Sequence, residues 1–351
     1  MKLKRFIHKS DDLDLDINFN KVSLIVGQNA VGKSRTIGAL DKFVKIILQQ
    51  QKWLKNVSCE FHVDFIDDNN KELSYSYIYE RGIVTFEHLL YDNIPYLIRN
   101  KEKITLEEEP INPPTDKLIL HVRRDTVSYP FIEKIIYWAE NTYGLLFDEL
   151  YMFDFGVDSS IGSAKESITS MFEKLDDNTI GELLSQMKSL EYFIEDIRIE
   201  EIGKDFKLIV LHEKDVADEL CIPQLSNGIS RALSLLIFVN YLSTLKQPQT
   251  LIIDDFCEGL DYNRATKLGK LLYEFCLEHK VQLITASNDS FLMEVVDLKY
   301  WILLQREGSK INVITQEKYP KLFDDFDFTG LSNFDFFASD FIAGHTKDIQ
   351  G

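Results

Sequence analysis

The feature that most constrains this chain is the run GQNAVGKS at Gly27–Ser34, which matches the pattern G-x-x-x-x-G-K-[ST]. An apolar stretch, Val22–Val26, precedes it and a helical pattern follows it. The glycines permit a tight turn whose backbone N–H groups point at phosphate oxygens, and the following helix directs the positive end of its dipole there. Lys33 supplies a positive charge for the β- and γ-phosphates, and Ser34 offers a hydroxyl to Mg²⁺. The run therefore predicts a nucleotide-binding loop.

The helical pattern after the loop supports this prediction, because a phosphate-binding loop must connect a strand to a helix. Apolar residues between 35 and 48 fall on one helical face: Ile37, Leu40, Val44, Ile47 and Leu48. The residues that we predict to contact the nucleotide from this region are Gly27, Asn29, Ala30, Val31, Gly32, Lys33, Ser34 and Arg35.

Composition excludes several classes of protein. The 351 residues are 45% hydrophobic, enough to form one large domain or two modest ones. A net charge of −18 argues against broad, non-specific adhesion to DNA or anionic membranes, although a local basic groove stays open. The four cysteines show no C-x-x-C spacing, which is typical of reduced thiols in a cytosolic protein. No secretion signal or membrane span is present, so we expect a cytoplasmic protein with no membrane partner.

Periodicity along the chain predicts a mixed α/β architecture. We expect a β-hairpin within residues 1–26, an antiparallel meander from the alternating segments 57–65 and 73–79, and a buried strand at Leu118–Val122. Helices are predicted within 131–150, 164–174 and 179–190, a Gly/Ser loop at Gly156–Ser163, and strands at Glu191–Ile202 and Phe206–Leu211. The predicted divisions are an N-terminal lobe at 1–124 with the nucleotide-binding loop and the meander, a helical insertion at 125–195, a C-terminal lobe at 196–320 and an acidic, aromatic tail at 321–351.

A second half of the site follows from Leu251–Asp255, an apolar strand that ends in two acids. Ligands of open α/β sheets bind at the carboxyl ends of the strands, where Asp254 emerges. We expect Asp254 to hold the Mg²⁺ shell opposite Ser34. Asp255 is placed to orient or deprotonate an attacking water. A strand ended by turn-forming aspartates is the structural alternative.

Two further segments define the class. Leu225–Arg231 (LSNGISR) precedes a long apolar helix, and Ser226 is a candidate N-cap whose helix terminus could meet an anion. Gly259–Asp261 (GLD) directly follows the acidic strand. These segments resemble the L-S-x-G-x-x-R signature and the D-loop of ABC-class ATPases, in that family's order. The chain is similar to the OLD, RecF and SMC-like branch, which includes stand-alone ATPases of bacterial phage-defence operons, and the resemblance is closest over residues 1–50 and 220–315.

The resemblance implies an ABC-type P-loop ATPase head with an antiparallel β subdomain and a small helical insertion. In that class, two heads enclose two ATP molecules, so Ser226 and Gly228 would contact the γ-phosphate held by a second copy and Asp261 would face the neighbouring site. It further implies a homodimer or higher oligomer, and suggests a regulatory subunit that controls a partner nuclease or toxin in antiphage defence.

The chain departs from that family's pattern at three positions. Asp255 stands where glutamate is usual, Ser287 and Asn288 stand where a switch histidine is expected, and no glutamine loop is identifiable. Ser287 or Asn288 could hydrogen-bond the γ-phosphate, and His121, Arg123 or Arg124 could lie near the site. We therefore predict slow ATP hydrolysis, with Lys33, Asp255, Ser287 and Asn288 as catalytic residues.

Two alternatives remain at this stage. One is an ATPase that binds DNA ends or repair intermediates, which the acidic charge and the missing coiled coil disfavour. The other is a nucleotide-binding scaffold with negligible turnover. The phenylalanine-rich tail after residue 321 is expected to pack on the ATPase core, with a partner-binding surface as the alternative.

Overall fold

The computed structural model describes residues 1–51, 57–146, 167–202, 206–257, 259–338 and 341–344. The strands are β1 (Lys2–Lys9), β2 (Asp14–Asn18), β3 (Val22–Val26), β4 (Ser58–Ile66), β5 (Glu72–Glu80), β6 (Ile83–Tyr91), β7 (Ile94–Arg99), β8 (Ile104–Leu106), β9 (Glu109–Pro110), β10 (Thr142–Leu146), β11 (Ile194–Ile202), β12 (Phe206–Glu213), β13 (Leu220–Cys221), β14 (Gln249–Asp254), β15 (Val281–Ala286), β16 (Trp301–Glu307) and β17 (Lys310–Ile314). The helices are α1 (Lys33–Ile47), α2 (Ile119–Val122), α3 (Pro130–Glu140), α4 (Ile168–Glu173), α5 (Asp177–Ser189), α6 (Asn227–Thr244), α7 (Tyr262–Glu278), α8 (Ser290–Val295), α9 (Pro320–Asp327), α10 (Asn333–Ala338) and α11 (Phe341–Gly344), with 3₁₀ turns at Ile222–Gln224 and Leu298–Tyr300.

One large sheet runs through the described part of the molecule, in the order β10-β14-β15-β3-β16-β17-β2-β1-β4-β5-β6-β7-β8-β9. Its first five strands are parallel, and the strands from β2 to β9 form an antiparallel meander. A separate sheet contains β11, β12 and β13. The predicted hairpin and meander are confirmed, and the meander extends further than the pattern indicated.

Register in the parallel half aligns the strand ends that form the site. Asp254 lies opposite Ala286, and Ala286 lies opposite Ile25. The chain therefore leaves β14, β15 and β3 at one edge, the carboxyl edge, where ligands of such sheets bind.

Two hydrophobic cores cover the two faces of this sheet. Successive side chains of a strand point to opposite faces. Val22, Leu24 and Val26 of β3 accordingly join the core formed by α6, α7 and the C-terminal helices. Ile25 joins the other core, which contains α1, α3 and the meander. Burial of β3 on both faces explains its continuous apolar sequence.

Two predicted elements were wrong. Leu118–Val122 contains the short helix α2 rather than a strand, because the carboxylate of Glu87 accepts backbone N–H bonds from Ile119 and Leu120 at the helix start. Residues 131–150 are not one helix: α3 ends at Glu140 and β10 pairs in parallel with β14. A short apolar run does not distinguish a strand from a buried helix.

The remaining predictions concern the elements between residues 156 and 211 and the division of the chain. The helices within 164–174 and 179–190 and the strands near 191–211 are present as α4, α5, β11 and β12. The Gly156–Ser163 loop lies outside the described residues. The division of the chain at residues 124, 195 and 320 stays a prediction.

The tail packs on the core, as expected. Phe323, Phe326 and Phe336 are at most 1% exposed, and their rings contact one another. Phe334, Phe337 and Phe341 are partly buried against the same core, whereas Phe328 is 90% exposed. Most of the aromatic density in the tail therefore belongs to the fold.

Two further sequence-based expectations concern cysteines and membranes. Cys59, Cys257 and Cys276 are buried free thiols, and Cys221 is a half-buried free thiol. Among the helices that the structure describes, none combines the length and apolar character needed to cross a bilayer.

Candidate nucleotide site at the carboxyl edge of the sheet

The phosphate-binding loop has the close contacts and backbone angles that its glycines predicted. A Cβ atom at Gly27 would lie 2.7 Å from Val31 Cγ2 and 2.9 Å from the Leu304 carbonyl oxygen, so no larger residue fits. Gly32 has a φ of 119° and is the N-cap of α1. That angle favours glycine, and Ala30 shares the left-handed region with a φ of 65°.

Lys33 folds back over this loop. Its Nζ donates hydrogen bonds to the carbonyl oxygens of Gly27, at 2.8 Å, and Gln28, at 3.1 Å. Burial lowers the pKa of Lys33, against the attraction of Asp255 and Asp254. The ammonium group therefore lies between the loop and the two acids that end β14.

Asp254 lies where the acidic strand meets α1. Its carboxylate accepts a hydrogen bond from Ser34. Burial raises the pKa of Asp254, the Ser34 hydrogen bond opposes this, and the charge of Asp255 raises it further. The structure therefore pairs the hydroxyl and the carboxylate that were predicted to share Mg²⁺.

Asp255 is held in an unusual conformation. Its φ is 54°, a region that non-glycine residues avoid and that often marks functional sites. Its backbone N–H donates to the Ala286 carbonyl at 2.9 Å, which ties it to the end of β15. Its Oδ1 accepts a hydrogen bond of 2.9 Å from the Ser287 hydroxyl. This exposed carboxylate is therefore oriented by the residue that replaces the expected histidine.

Ser287 and Asn288 have different partners. The Ser287 hydroxyl, which is 2% exposed, also accepts the backbone N–H of Asp289 at 3.0 Å. The Asn288 side-chain amide donates to the Asn29 side-chain oxygen in the phosphate-binding loop. Ser287 thus contacts the acid, and Asn288 contacts the loop.

Arg35 points away from this group of residues. Its guanidinium lies 3.5 Å from the Asp12 carbonyl oxygen and 3.9 Å from the Asp12 carboxylate, in the turn between β1 and β2. The Cβ position of Gly32 faces Leu13 and Ile311. The β1–β2 turn is therefore next to the phosphate-binding loop, and Arg35 lies between them.

The predicted signature and D-loop form a second group. Ser226 is the exposed N-cap of α6 and makes no side-chain capping bond. A Cβ atom at Gly228 would lie 3.3 Å from Leu260 Cδ2 and 3.4 Å from the Gly259 carbonyl oxygen. Asp261 caps α7 by accepting the Arg264 backbone N–H at 3.1 Å. Among the described residues, no hydrogen bond joins Ser226, Gly228 or Asp261 to the loop at 27–34.

Three residues at these two groups were not predicted. Asp289 donates its backbone N–H to the Ser287 hydroxyl, and its carboxylate caps α8 by accepting the Phe291 N–H. Arg264 contacts Asp261, and the i, i+3 spacing on α7 was the available signal. Tyr192 reaches Gly228 from a distant part of the chain, and no local pattern indicated it.

Two residues suggested for the site lie elsewhere. The His121 ring hydrogen-bonds the Ile46 carbonyl near the C-terminal end of α1, about 20 Å from Lys33 at the rise of an α-helix. Arg124 forms a salt bridge of 2.6 Å with Glu133. Among the described residues, no hydrogen bond or ion pair joins either side chain to the phosphate-binding loop.

The donor set fits a nucleotide-bound cation rather than a metal held by protein alone. Within the described ranges, no three His, Cys, Asp or Glu side chains are grouped to hold a metal ion. Ser34 and Asp254, which are hydrogen-bonded to each other, could offer two oxygen ligands, and Mg²⁺ typically combines one or two protein ligands with phosphates and water.

Comparison with known proteins agrees with this geometry. A family profile described as "AAA domain, putative AbiEii toxin, Type IV TA system" matches residues 22–294. No curated protein has a matching sequence.

Solved structures resemble the fold. The SMC head domain from Thermotoga maritima is 15% identical, with a TM-score of 0.50 over 90% of this chain and 99% of that one. An SMC head bound to the C-winged helix domain of ScpA is 13% identical, with a TM-score of 0.56 over 92% of this chain and 100% of that one. At these identities the likeness establishes a shared ATPase-head fold.

Proposed function

The chain belongs to this AAA-domain family, and from that premise we propose that it binds ATP with Mg²⁺, hydrolyses it slowly and dimerises around it. The observation that carries the proposal is the convergence of the Gly27–Ser34 loop, Asp254 and the Asp255–Ser287 pair at one sheet edge. Each component has a role in phosphoryl transfer to water, which depends mainly on positioning and charge neutralisation.

The residues divide the work as follows. The loop backbone and the start of α1 would bind the phosphates, and Lys33 would exchange the Gly27 and Gln28 carbonyls for phosphate oxygens. Ser34 and Asp254 would hold Mg²⁺, which neutralises phosphate charge when bound. Asp255, oriented by Ser287, would accept a proton from the attacking water. Asn288 would couple the γ-phosphate to the loop through Asn29.

Slow turnover follows from the chemistry of two positions. Aspartate is one methylene shorter than the glutamate usual in ABC-class ATPases, so its carboxylate reaches less far toward water. A serine hydroxyl at 287 does not titrate near neutral pH as histidine does. These differences support a nucleotide-dependent switch rather than a fast motor.

The second group of residues supports dimerisation. Ser226, Gly228 and Asp261 form a surface on the same chain without hydrogen bonds to its own loop, as expected if they serve a second copy. We extend the proposal to a cytoplasmic regulator that controls a separate nuclease or toxin in a bacterial antiphage complex. The family description names a putative toxin of a Type IV TA system, and the separate effector is suggested by the resemblance to ATPases of phage-defence operons.

The experiment measures ATP affinity with a fluorescent analogue and turnover by phosphate release. Wild type should bind ATP in the presence of Mg²⁺, and Lys33→Ala should weaken binding at least about 100-fold, because it removes the charge facing the phosphates. Lys42→Ala, on the same helix, is the matched control and should bind as wild type does. Equal affinity of Lys33→Ala and wild type would refute nucleotide binding at this loop.

A second measurement separates an enzyme from a scaffold. Asp255→Ala should reduce phosphate release at least about tenfold while ATP binding persists. If wild type and Asp255→Ala share the same background rate, the protein is a nucleotide-binding scaffold.

A further inference from the structure

A sharp turn between α5 and β11 lies against the starts of α6 and α7, the helices that follow the predicted signature and D-loop. The turn consists of Leu190, Glu191 and Tyr192, and Glu191 has a positive φ of 63°. Leu190 and Tyr192 are buried, with exposures of 0% and 8%. Two of its three side chains therefore pack in the protein core, and the turn is part of the packed fold.

Arg264, in the first turn of α7, joins this turn to the D-loop. Its Nη1 donates to the Asp261 carboxylate at 2.9 Å, and its Nε donates to the Leu190 carbonyl at 3.2 Å. Its Nη2 lies 3.5 Å from the Glu191 carbonyl oxygen, and its guanidinium stands 4.4 Å from the Tyr192 ring centre. One planar cation thus contacts the D-loop acid, two backbone carbonyls and an aromatic face, a combination that lysine cannot reproduce.

Two further residues of α7 bind the side chain of Glu191. Lys267 Nζ lies 2.6 Å from the Glu191 carboxylate, and the Asn263 side-chain amide donates to the same oxygen at 3.0 Å. These contacts are solvent-exposed and individually weak. Together with Arg264 they align α7 with the turn.

Tyr192 extends the contact to the signature segment. A Cβ atom at Gly228 would lie 3.2 Å from the Tyr192 hydroxyl oxygen and 3.3 Å from Leu260. The tyrosine therefore lies between the start of α6 and the D-loop. A displacement of the turn would therefore alter the packing at the start of α6 and at the D-loop.

We propose that Arg264 is a positioning residue of the nucleotide-sandwiched dimer: it neutralises Asp261 and, through the Leu190–Tyr192 turn, sets the D-loop and signature in one arrangement. This inference rests on the proposed dimer. An unneutralised Asp261 carboxylate would repel the phosphates of the neighbouring site.

The test compares monomer binding with dimer formation. ATP affinity of dilute protein is measured by fluorescence, and ATP-dependent association by sedimentation velocity. Arg264→Ala should leave monomer ATP affinity within twofold of wild type and weaken association at least tenfold. Arg264→Lys retains the positive charge but cannot make the four contacts together. Its ATP-dependent association should be weaker than that of wild type and stronger than that of Arg264→Ala. Lys270→Ala, an exposed lysine on the same helix, is the control and should match wild type.

The outcomes separate this inference from the proposed function. If wild type neither binds ATP nor associates, the proposed function is wrong. If wild type does both and Arg264→Ala associates equally well, the positioning role alone is wrong. Tyr192→Phe, which removes only the hydroxyl facing Gly228, serves if Arg264→Ala does not fold: several-fold weaker association supports the inference, and unchanged association refutes it.

Discussion

At the scale of single residues, Asp255 combines a left-handed backbone conformation with a hydrogen bond from Ser287. A left-handed aspartate is strained by about 1–3 kcal/mol and persists because neighbouring contacts hold it. Here the contacts are the Ala286 carbonyl and the Ser287 hydroxyl. The Ser287 hydroxyl holds the Asp255 carboxylate, so the orientation of this acid depends on the residue that follows the adjacent strand β15.

Replacing Ser287 should therefore impair chemistry more than binding. We expect Ser287→Ala to lower kcat roughly tenfold with little change in KM, because Asp255 loses the donor that orients it. Steady-state phosphate release measures both constants. Ser287→Thr retains the hydroxyl and should recover part of the rate, and Ser243→Ala, near the C-terminal end of α6, is the control. A raised KM with unchanged kcat would mean that Ser287 binds nucleotide directly.

At the scale of elements, buried polar and aromatic contacts attach short segments to the large sheet. Glu87 of β6 is fully buried and accepts bonds from Tyr75 Oη at 2.9 Å and from the first N–H groups of α2. Arg99 lies 3.6 Å from it and also donates to the carbonyls of Lys117 and Pro114. This cluster explains why α2 is a helix although its sequence is a short apolar run.

The Glu87 carboxyl should make stability depend on pH. Burial raises its pKa from 4.5 to about 7, against the hydrogen bonds from Ile119 and Tyr75 and the charge of Arg99. Between these values the unfolded chain releases its proton before the folded chain does, so the contribution of Glu87 to stability falls as pH rises. Glu87→Gln lacks this titration.

Urea unfolding at pH 5, 6, 7 and 8 tests this dependence. The free energy of unfolding of wild type should exceed that of Glu87→Gln most at pH 5, and the difference should narrow toward pH 8. Glu102→Gln, at an exposed site, is the control. A difference that widens with pH would mean that the folded state favours the ionised carboxylate.

The tail helices offer a matched pair of aromatic substitutions. Phe336 of α10 is 0% exposed within the core, whereas Phe328, after α9, is 90% exposed. Phe336→Ala should lower the free energy of unfolding by about 3–5 kcal/mol, and Phe328→Ala by less than about 0.5 kcal/mol. Urea unfolding at neutral pH measures both. Similar values for the two variants would exclude the tail from the core.

At the scale of the whole molecule, the predicted phosphate-binding loop and the predicted signature and D-loop form two separate groups of residues. A Cβ atom at Gly228 would lie within 3.4 Å of both Leu260 and Gly259, so the two predicted motifs are adjacent. Under the proposed function, a molecule with these two groups would close both sites when it pairs with a copy of itself. Nucleotide would then stabilise the closed pair by mass action.

A bulky residue at the exposed start of α6 should block that pairing. Under the proposed dimer, Ser226→Arg is expected to bind ATP as wild type does but to remain monomeric with ATP, since the added side chain would occupy the space proposed for the partner's nucleotide. Sedimentation velocity with and without ATP distinguishes the two states. Ser243→Arg, at the other end of α6, is the control. ATP-dependent dimerisation of Ser226→Arg would refute the sandwich arrangement.

Local patterns specified the loop, the acidic strand, the hairpin and the fold class, because phosphate binding and sheet burial require particular residue types at fixed short spacings. Tertiary contacts decided the rest. Asn288 meets Asn29 and Ser287 meets Asp255 only because parallel strands distant in the chain end at one edge. Glu87 makes α2 a helix, and β14 makes the segment after α3 a strand. Hydrogen-bond partners that are distant in the chain cannot be predicted from hydrophobic periodicity, because that periodicity reflects burial alone.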